Sequence, residues 1–177
     1  MYTYDKLFSE YNHTVAQILL TAEDLRNEKR HSNFENTMGR LLDMQVLPII
    51  NENDTVATEE IEIGDNDTLA AIVAVSVGAD LLVLLSDIDG LYTADPHKDA
   101  DARLISEVRE IDERIIALGG GKGSSLGTGG MATKLHAAQI ATEKGCDMII
   151  TNGERPEELY DIAEGKSVGT RFYSKRA

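Results

Sequence analysis

Two clusters of asparagine and aspartate follow a short apolar strand, and they carry the most informative chemistry of the chain. The segment reads LPIINENDTVATEEIEIGDNDT over residues 47–68, with Asn51, Asn53 and Asp54 in the first cluster and Asn66 and Asp67 in the second. Asparagine both donates and accepts hydrogen bonds, whereas aspartate only accepts, so the mixture suits a small ligand with an ammonium and a carboxylate. The same residue types also form ordinary turns, and composition alone favours neither interpretation.

A second polar group follows the apolar strand DLLVLL directly. Ser86 and Asp87 lie at its carboxyl end, where ligands bind in open α/β sheets. Tyr92, in the loop that follows, can pack against an aromatic base. The alternative is an ordinary Asp-x-Asp-Gly turn. A calcium loop is excluded, because position 98 is Lys98 where such a loop needs a glutamate.

A third segment, GGGKGSSLGTGGMATK over Gly119–Lys134, is a glycine-rich loop that enters a helix. Free N–H groups and the positive end of the helix dipole suit phosphate there, and Lys134 adds a point charge. The spacing is not that of a P-loop. A flexible surface loop with a solvated lysine is the alternative interpretation.

Composition excludes several function classes. The net charge of −14 argues against nucleic acid and anionic membrane as partners. The single cysteine, Cys146, cannot form an internal disulfide and is predicted to be a small buried hydrophobe, which fits the cytoplasm. The histidines lack metal-ligand spacing, so zinc is not expected. No apolar run reaches the length of a membrane span, and the N-terminus lacks an export pattern.

Apolar periodicity predicts alternating strands and helices. The predicted strands are Thr14–Leu20, Val46–Ile50, Asp80–Leu85 and Asp147–Thr151. The predicted helices are a short one capped by Thr21, then Asn33–Gln45, Asn66–Val77, Glu107–Leu118, Met131–Lys144 and Glu154–Glu164, with a hairpin or excursion over Asp54–Ile63. Repeated βα units indicate an α/β fold with an open, mostly parallel sheet and helices on both faces.

Three motifs together resemble the amino acid kinase family: INEND with the later GDND, LLSDIDGLYTADP, and GLGTGGMATK. The resemblance runs from about Leu7 to Phe172, and it is closest to the branch that phosphorylates L-glutamate. It implies a three-layer α/β/α sandwich, ATP with Mg²⁺, and transfer of the γ-phosphoryl group to the side-chain carboxylate of L-glutamate, the first step of proline biosynthesis. It also leads us to expect a homo-oligomer.

The resemblance also implies residue roles. Asp54 and Asn66 bind glutamate, and Asn51 and Asn53 shape that pocket. Asp67 organises the transfer centre by orienting lysines. Lys134 acts on the transferring phosphate. The residues implied to hold ATP are Ser86, Asp87, Tyr92, Asp95, Thr128, Gly129, Gly130, Met131, Ala132, Thr133 and Lys134.

One departure from the family concerns its N-terminal part. Members normally begin with a strand, a Lys-x-Gly-Ser type loop and a second glycine-containing loop, and this chain starts near the family's middle. We therefore expect residues 1–177 to be a single domain, the C-terminal portion of the fold without a PUA domain, and to phosphorylate glutamate poorly alone. The alternatives are a non-catalytic ATP-binding remnant and another family activity, such as acetylglutamate kinase.

Replacing Asp54 with Ala is expected to raise the KM for L-glutamate far more than the KM for ATP. This prediction applies to a complete enzyme, and the reason is that Asp54 and Asn66 lie in polar clusters near the same strand end. Steady-state kinetics with each substrate varied in turn measures both constants. A larger effect on the KM for ATP would require the two sites to be reassigned.

Overall fold

A computed structural model describes residues 1–55, 65–96, 98–120 and 130–175 of the chain. It contains two compact units, Met1–Leu69 and Ala70–Ala177. The single domain expected from the sequence stays a prediction. The hairpin or excursion expected over Asp54–Ile63 falls mostly outside the described residues. In the part of the chain that the structure describes, no helix is long and apolar enough to cross a membrane.

The first unit is built on a pair of parallel strands. Helix α1 (Tyr2–Ser9), which the sequence did not predict, precedes β1 (Thr14–Leu20), and the chain returns to form β2 (Val46–Glu52). The two strands pair in parallel along their whole length. Strand β1 has the predicted bounds, whereas β2 runs beyond the predicted Ile50, so Asn51 lies on the strand itself.

Two helices connect these strands, α2 (Ala22–Arg26) and α3 (Glu28–Asp43), and each begins at a capping side chain. Thr21 forms the predicted cap of α2 through a capping box. Asn27 caps α3, so that helix begins several residues before the predicted Asn33.

The second unit contains a four-stranded sheet with mostly parallel pairing. Its strands are β3 (Leu81–Ser86), β4 (Glu107–Val108), β5 (Asp147–Asn152) and β6 (Thr170–Phe172), in the spatial order β3-β5-β6-β4. Strands β3 and β5 are parallel, as are β4 and β6, whereas β5 and β6 are antiparallel. Strands β3 and β5 lie within one residue of their predicted bounds.

The remaining helices are α4 (Asn66–Ser76), α5 (Glu113–Leu118), α6 (Met131–Glu143) and α7 (Glu158–Ala163). Helices α4 and α6 each end one residue before their predicted ends.

Two predicted helices were wrong in their first halves. The predicted Glu107–Leu118 helix is strand β4 at its start, and α5 begins only after Asp112, whose carboxylate accepts the first-turn N–H groups. Helix α7 starts at Glu158 rather than Glu154, so Pro156 precedes the helix instead of lying in its first turn.

Strand β5 is the most deeply buried element of the second unit, with every residue from Asp147 to Thr151 buried. Aliphatic side chains from α4, α6 and β3, and the aromatic Phe172 from β6, join it in one apolar core. Cys146, directly before β5, is 1% exposed, which confirms its prediction as a small buried hydrophobe. Burial on this scale is the main stabilising contribution to such a unit.

One carboxylate is buried at the start of β5. Asp147 pairs with the Arg171 guanidinium, at 2.7 Å and 3.2 Å to the same oxygen, and its other oxygen accepts the N–H and hydroxyl of Ser174 at 2.9 Å and 2.7 Å. Burial alone would raise the pKa of Asp147, but the Ser174 hydrogen bonds and the Arg171 ion pair outweigh it, and the pKa lies below its ordinary value.

Replacing Asp147 with Ala is expected to lower the free energy of unfolding by about 1–3 kcal/mol at neutral pH, because Ser174 and the Arg171 guanidinium, whose side chain is 36% exposed, lose their buried acceptor. Since the folded pKa is depressed, the stabilisation by Asp147 is complete above the ordinary value of 3.8 and is lost as the pH falls below it. Urea unfolding at several pH values measures both effects. Asp161→Asn, at the exposed pair with Lys166, is the matched control. Equal effects of the two variants would contradict the prediction.

Candidate functional site

The loop that follows β3 is fixed by hydrogen bonds to distant parts of the second unit. Tyr92 forms an isolated antiparallel bridge with Leu104. The N–H of Leu91 donates to Thr170 Oγ1 at 2.8 Å, and the Thr170 hydroxyl donates to the carbonyl of Ile105 at 2.6 Å. The N–H of Ile105 donates back to the carbonyl of Leu91 at 2.8 Å. The hydroxyl of one buried threonine on β6 therefore connects both arms of the loop.

Gly90 makes this close approach possible. Its φ of +155° is one that side-chain-bearing residues rarely adopt, and an added Cβ would lie 2.5 Å from Thr170 Oγ1 and 3.0 Å from the Thr170 nitrogen. Gly169 allows a second close approach, because a Cβ there would lie 2.0 Å from the carbonyl oxygen of Ile150 on β5 and 3.0 Å from that of Asp89 in the loop. Both glycines are needed for the loop to lie against β6.

A cavity of about 410 Å³ lies between this loop, the end of α5 and the beginning of α6. Leu118 lines it from α5, and Lys98 lines it from the loop. Of the residues predicted to bind ATP, the structure brings the following together in its lining: Tyr92, Asp95, Gly130, Met131 and Ala132. An aromatic ring, apolar groups and a few polar atoms are typical of a small-molecule site.

The beginning of α6 differs from that of every other described helix. Each of the others has an acidic residue in its first turn, whereas α6 has none. Its N-cap is Gly130, which provides no side-chain cap, and the Thr133 hydroxyl donates to the Gly130 carbonyl at 2.7 Å. Lys134, also in this turn, is only 7% exposed. The helix dipole and the lysine give this end a positive potential that favours an anion.

Asp89, which the sequence did not single out, organises the polar side of the loop. Its Oδ2 accepts the Tyr92 hydroxyl at 3.1 Å, and its Oδ1 accepts Asn152 Nδ2 at 2.9 Å and the Arg155 guanidinium at 2.7 Å. The hydrogen bond from Asn152 is the main reason why the pKa of Asp89 lies below its usual range. Burial, together with the Asp89 carboxylate, raises the pKa of Tyr92.

The Amino acid kinase family model matches residues 1–152 of the chain. The chain belongs to the amino acid kinase family. It is 56% identical over 172 residues to the "Glutamate 5-kinase" of Clostridium tetani, covering 97% of this chain and 64% of that protein. It is also 56% identical over 176 residues to the "Glutamate 5-kinase" of Carboxydothermus hydrogenoformans, covering 99% of this chain and 47% of that protein. The chain thus spans about half to two thirds of the length of these relatives.

Solved structures share the amino acid kinase fold at low sequence identity. UMP kinase from Bacillus anthracis superposes with a TM-score of 0.63 at 16% identity, over 96% of this chain and 62% of that one. Carbamate kinase from Giardia lamblia, bound to AMP-PNP, gives a TM-score of 0.57 at 22% identity, over 80% of this chain and 44% of that one. These structures confirm the predicted α/β fold class with its mostly parallel pairing.

Ser86 and Asp87 lie at the carboxyl end of β3, the edge at which ligands bind in open α/β sheets. The Ser86 hydroxyl donates to Asp87 Oδ1 at 3.0 Å. As far as the described residues define the cavity, neither side chain lines it. Thr128 and Gly129, which were also predicted to hold ATP, lie outside the described residues.

The residues predicted to bind the acceptor belong to the first unit. Asn51 lies on β2, Asp54 lies two residues beyond its end, and Asn66 and Asp67 are the first residues of α4. The neighbouring Asp65 accepts the N–H and hydroxyl of Thr68 at 2.7 Å and 3.0 Å, so this acidic residue caps α4. Part of the second polar cluster therefore has a structural purpose.

Replacing Lys134 with Met is expected to weaken MgATP binding by roughly one to two decades, because a charge-assisted contact contributes about 1.5–3 kcal/mol. Calorimetric titration of the purified chain measures the affinity. The matched control is Lys144→Met, at the exposed opposite end of α6. Unchanged affinity and unchanged turnover in Lys134→Met, with an intact fold, would contradict a role for Lys134 in holding phosphate.

Proposed function

We propose that this chain is part of a glutamate 5-kinase, which transfers the γ-phosphoryl group of ATP to the side-chain carboxylate of L-glutamate. The observation that carries the proposal is 56% identity to a relative of that name across 97% of the chain. The cavity supports it, because residues from two separate motifs converge there on one space of suitable size for a nucleotide.

The cavity is proposed to hold the base and ribose of ATP. The Tyr92 ring provides a flat surface against which a purine packs, and Asp95 provides carboxylate oxygens that accept hydrogen bonds from ribose hydroxyls. Ser86 and Asp87 are proposed to contact the same nucleotide from the end of β3.

The beginning of α6 is proposed to hold the phosphates. Gly130, Met131 and Ala132 line the cavity, and Thr133 and Lys134 follow in the same turn. Thr128 and Gly129 belong to the same proposed phosphate site. Main-chain N–H groups at a helix N-terminus and a buried lysine offset the repulsion that a polyphosphate meets from a chain of net charge −14.

Magnesium enters this proposal as part of the substrate, bound to the ATP phosphates. Among the described residues, no three His, Cys, Asp or Glu side chains are grouped so that they could hold a metal ion. Mg²⁺ is usually bound through one or two carboxylates, substrate phosphates and water. Its chemistry is to neutralise charge on the phosphates.

Asn51, Asp54 and Asn66 are proposed to hold L-glutamate. The Asp54 carboxylate accepts hydrogen bonds from the ammonium group, and the two asparagine amides donate to the α-carboxylate. Asp67 is proposed to orient lysines around the transferring group.

The reaction requires alignment and charge neutralisation. A γ-carboxylate oxygen of glutamate attacks the γ-phosphorus, the bond from that phosphorus to the β,γ-bridging oxygen breaks, and ADP leaves with the electron pair. The carboxylate is already ionised at neutral pH, so no residue has to remove a proton. Lys134 and the α6 N–H groups neutralise the negative charge that surrounds the phosphorus.

The remaining expectations of the sequence stay predictions: a homo-oligomer in the cytoplasm, without nucleic acid or membrane partners. They rest on the family resemblance, the acidic composition and the single cysteine.

The full-length polypeptide that carries this sequence is expected to form γ-glutamyl hydroxamate when L-glutamate, MgATP and hydroxylamine are mixed, because hydroxylamine traps the acyl phosphate. N-Acetylglutamate and aspartate are the comparison acceptors in this assay, and uridylate is tested by ADP release, because its product is a diphosphate that hydroxylamine does not trap. Retained MgATP binding without hydroxamate or acceptor-dependent ADP release would favour a nucleotide-binding module. A faster reaction with another acceptor would assign the chain to a different activity of the family.

A further inference from the structure

Asp89 is the point at which three parts of the second unit meet. It lies in the loop after β3, Asn152 ends β5, and Arg155 lies just before α7. Its hydrogen bonds to Asn152 and Arg155 connect residues 63 and 66 positions apart in the sequence. The third hydrogen bond comes from Tyr92, whose ring lines the cavity.

The partners of Asp89 are themselves fixed. The Oδ1 atom of Asn152 accepts the N–H of Glu154 at 2.9 Å, which leaves Nδ2 directed at Asp89. The Nε of Arg155 pairs with Glu158 at 2.7 Å, and Glu158 in turn accepts the Thr151 hydroxyl. The carboxylate of Asp89 is therefore held by groups that have defined orientations.

The two carboxylate oxygens of Asp89 accept hydrogen bonds from different groups. Oδ1 accepts hydrogen bonds from the Asn152 amide and the Arg155 guanidinium, whereas Oδ2 accepts the Tyr92 hydroxyl. An asparagine at position 89 could keep all three contacts, because its amide N–H can donate to the Tyr92 hydroxyl oxygen, whereas an alanine removes both acceptors.

We propose that Asp89 is a positioning residue that holds the Tyr92 ring against the nucleotide cavity, and that Asn152 and Arg155 set the position of Asp89. The proposal rests on the proposed function, because it takes the ligand beside Tyr92 to be a nucleotide. A tyrosine that is held in its bound rotamer loses less conformational entropy when a ligand arrives, which increases affinity.

The solvent exposure of the Asp89–Arg155 ion pair distinguishes a positioning role from a purely structural one. The Asp89 side chain is 37% exposed and that of Arg155 is 48% exposed. Such ion pairs contribute little to the stability of a fold. A change at Asp89 is therefore expected to act on nucleotide binding while leaving the melting temperature nearly unchanged.

The test is a double-mutant cycle on the purified chain with Asp89→Ala and Tyr92→Phe, in which calorimetry measures the Kd for MgATP. Asp89→Ala is expected to weaken binding about three- to tenfold, and to have no further effect in the Tyr92→Phe background. Asp161→Ala, which removes an exposed acid paired with Lys166, is the matched control and is expected to bind MgATP normally.

A second readout does not depend on a ligand. In protein labelled with ¹³C at the tyrosine phenol carbon, the Tyr92 signal is the one missing from Tyr92→Phe. Asp89→Ala is expected to move that signal towards those of exposed tyrosines. An unchanged signal, or an equal loss of affinity with and without the Tyr92 hydroxyl, would overturn the proposal. If the unaltered chain bound no MgATP, the proposed function would fall, and this signal would still decide whether Asp89 positions Tyr92.

Discussion

The burial of β5 is the constraint on which the second unit depends. A strand buried over Asp147–Thr151 must pair its main-chain polar groups on both edges, and β3 and β6 provide those partners. Different polar interactions hold its two ends. At the start, Asp147 is neutralised by Arg171, and at the end, Asn152 reaches the loop beside the cavity through Asp89. One strand therefore connects the stability of the sheet to the shape of the site.

The acidity of the chain makes the beginning of α6 more informative than its glycines alone. A net charge of −14 produces a field that repels polyphosphates, so a phosphate site has to be locally positive. The first turn of α6 meets this requirement by lacking acidic residues and by containing Lys134. The burial of that lysine also means that its charge is poorly screened by water, which strengthens its attraction for an anion.

Sequence reasoning succeeded where the signal was local. Continuous apolar runs located β3 and β5 within one residue, and motif residues such as Tyr92 and Met131 do meet at one cavity. It failed where the structure is determined by pairing between residues that are far apart in the sequence. Strand β4 is only two residues long and exists because it pairs with β6, so its helix-like sequence was misleading. Asp89 resembles any turn aspartate, because its Asn152 and Arg155 partners are far away in the sequence.

The position of β6 in the sheet also bears on the order in which the molecule is completed during its synthesis. This strand lies between β5 and β4 in space but is made after both, and the hydrogen bond from Leu91 to Thr170 spans 79 positions of the chain. A nascent chain that has already formed β3 and β5 would still lack the threonine that joins the two arms of the cavity loop. Emergence of β6 from the ribosome is therefore the event that gives the loop its final conformation.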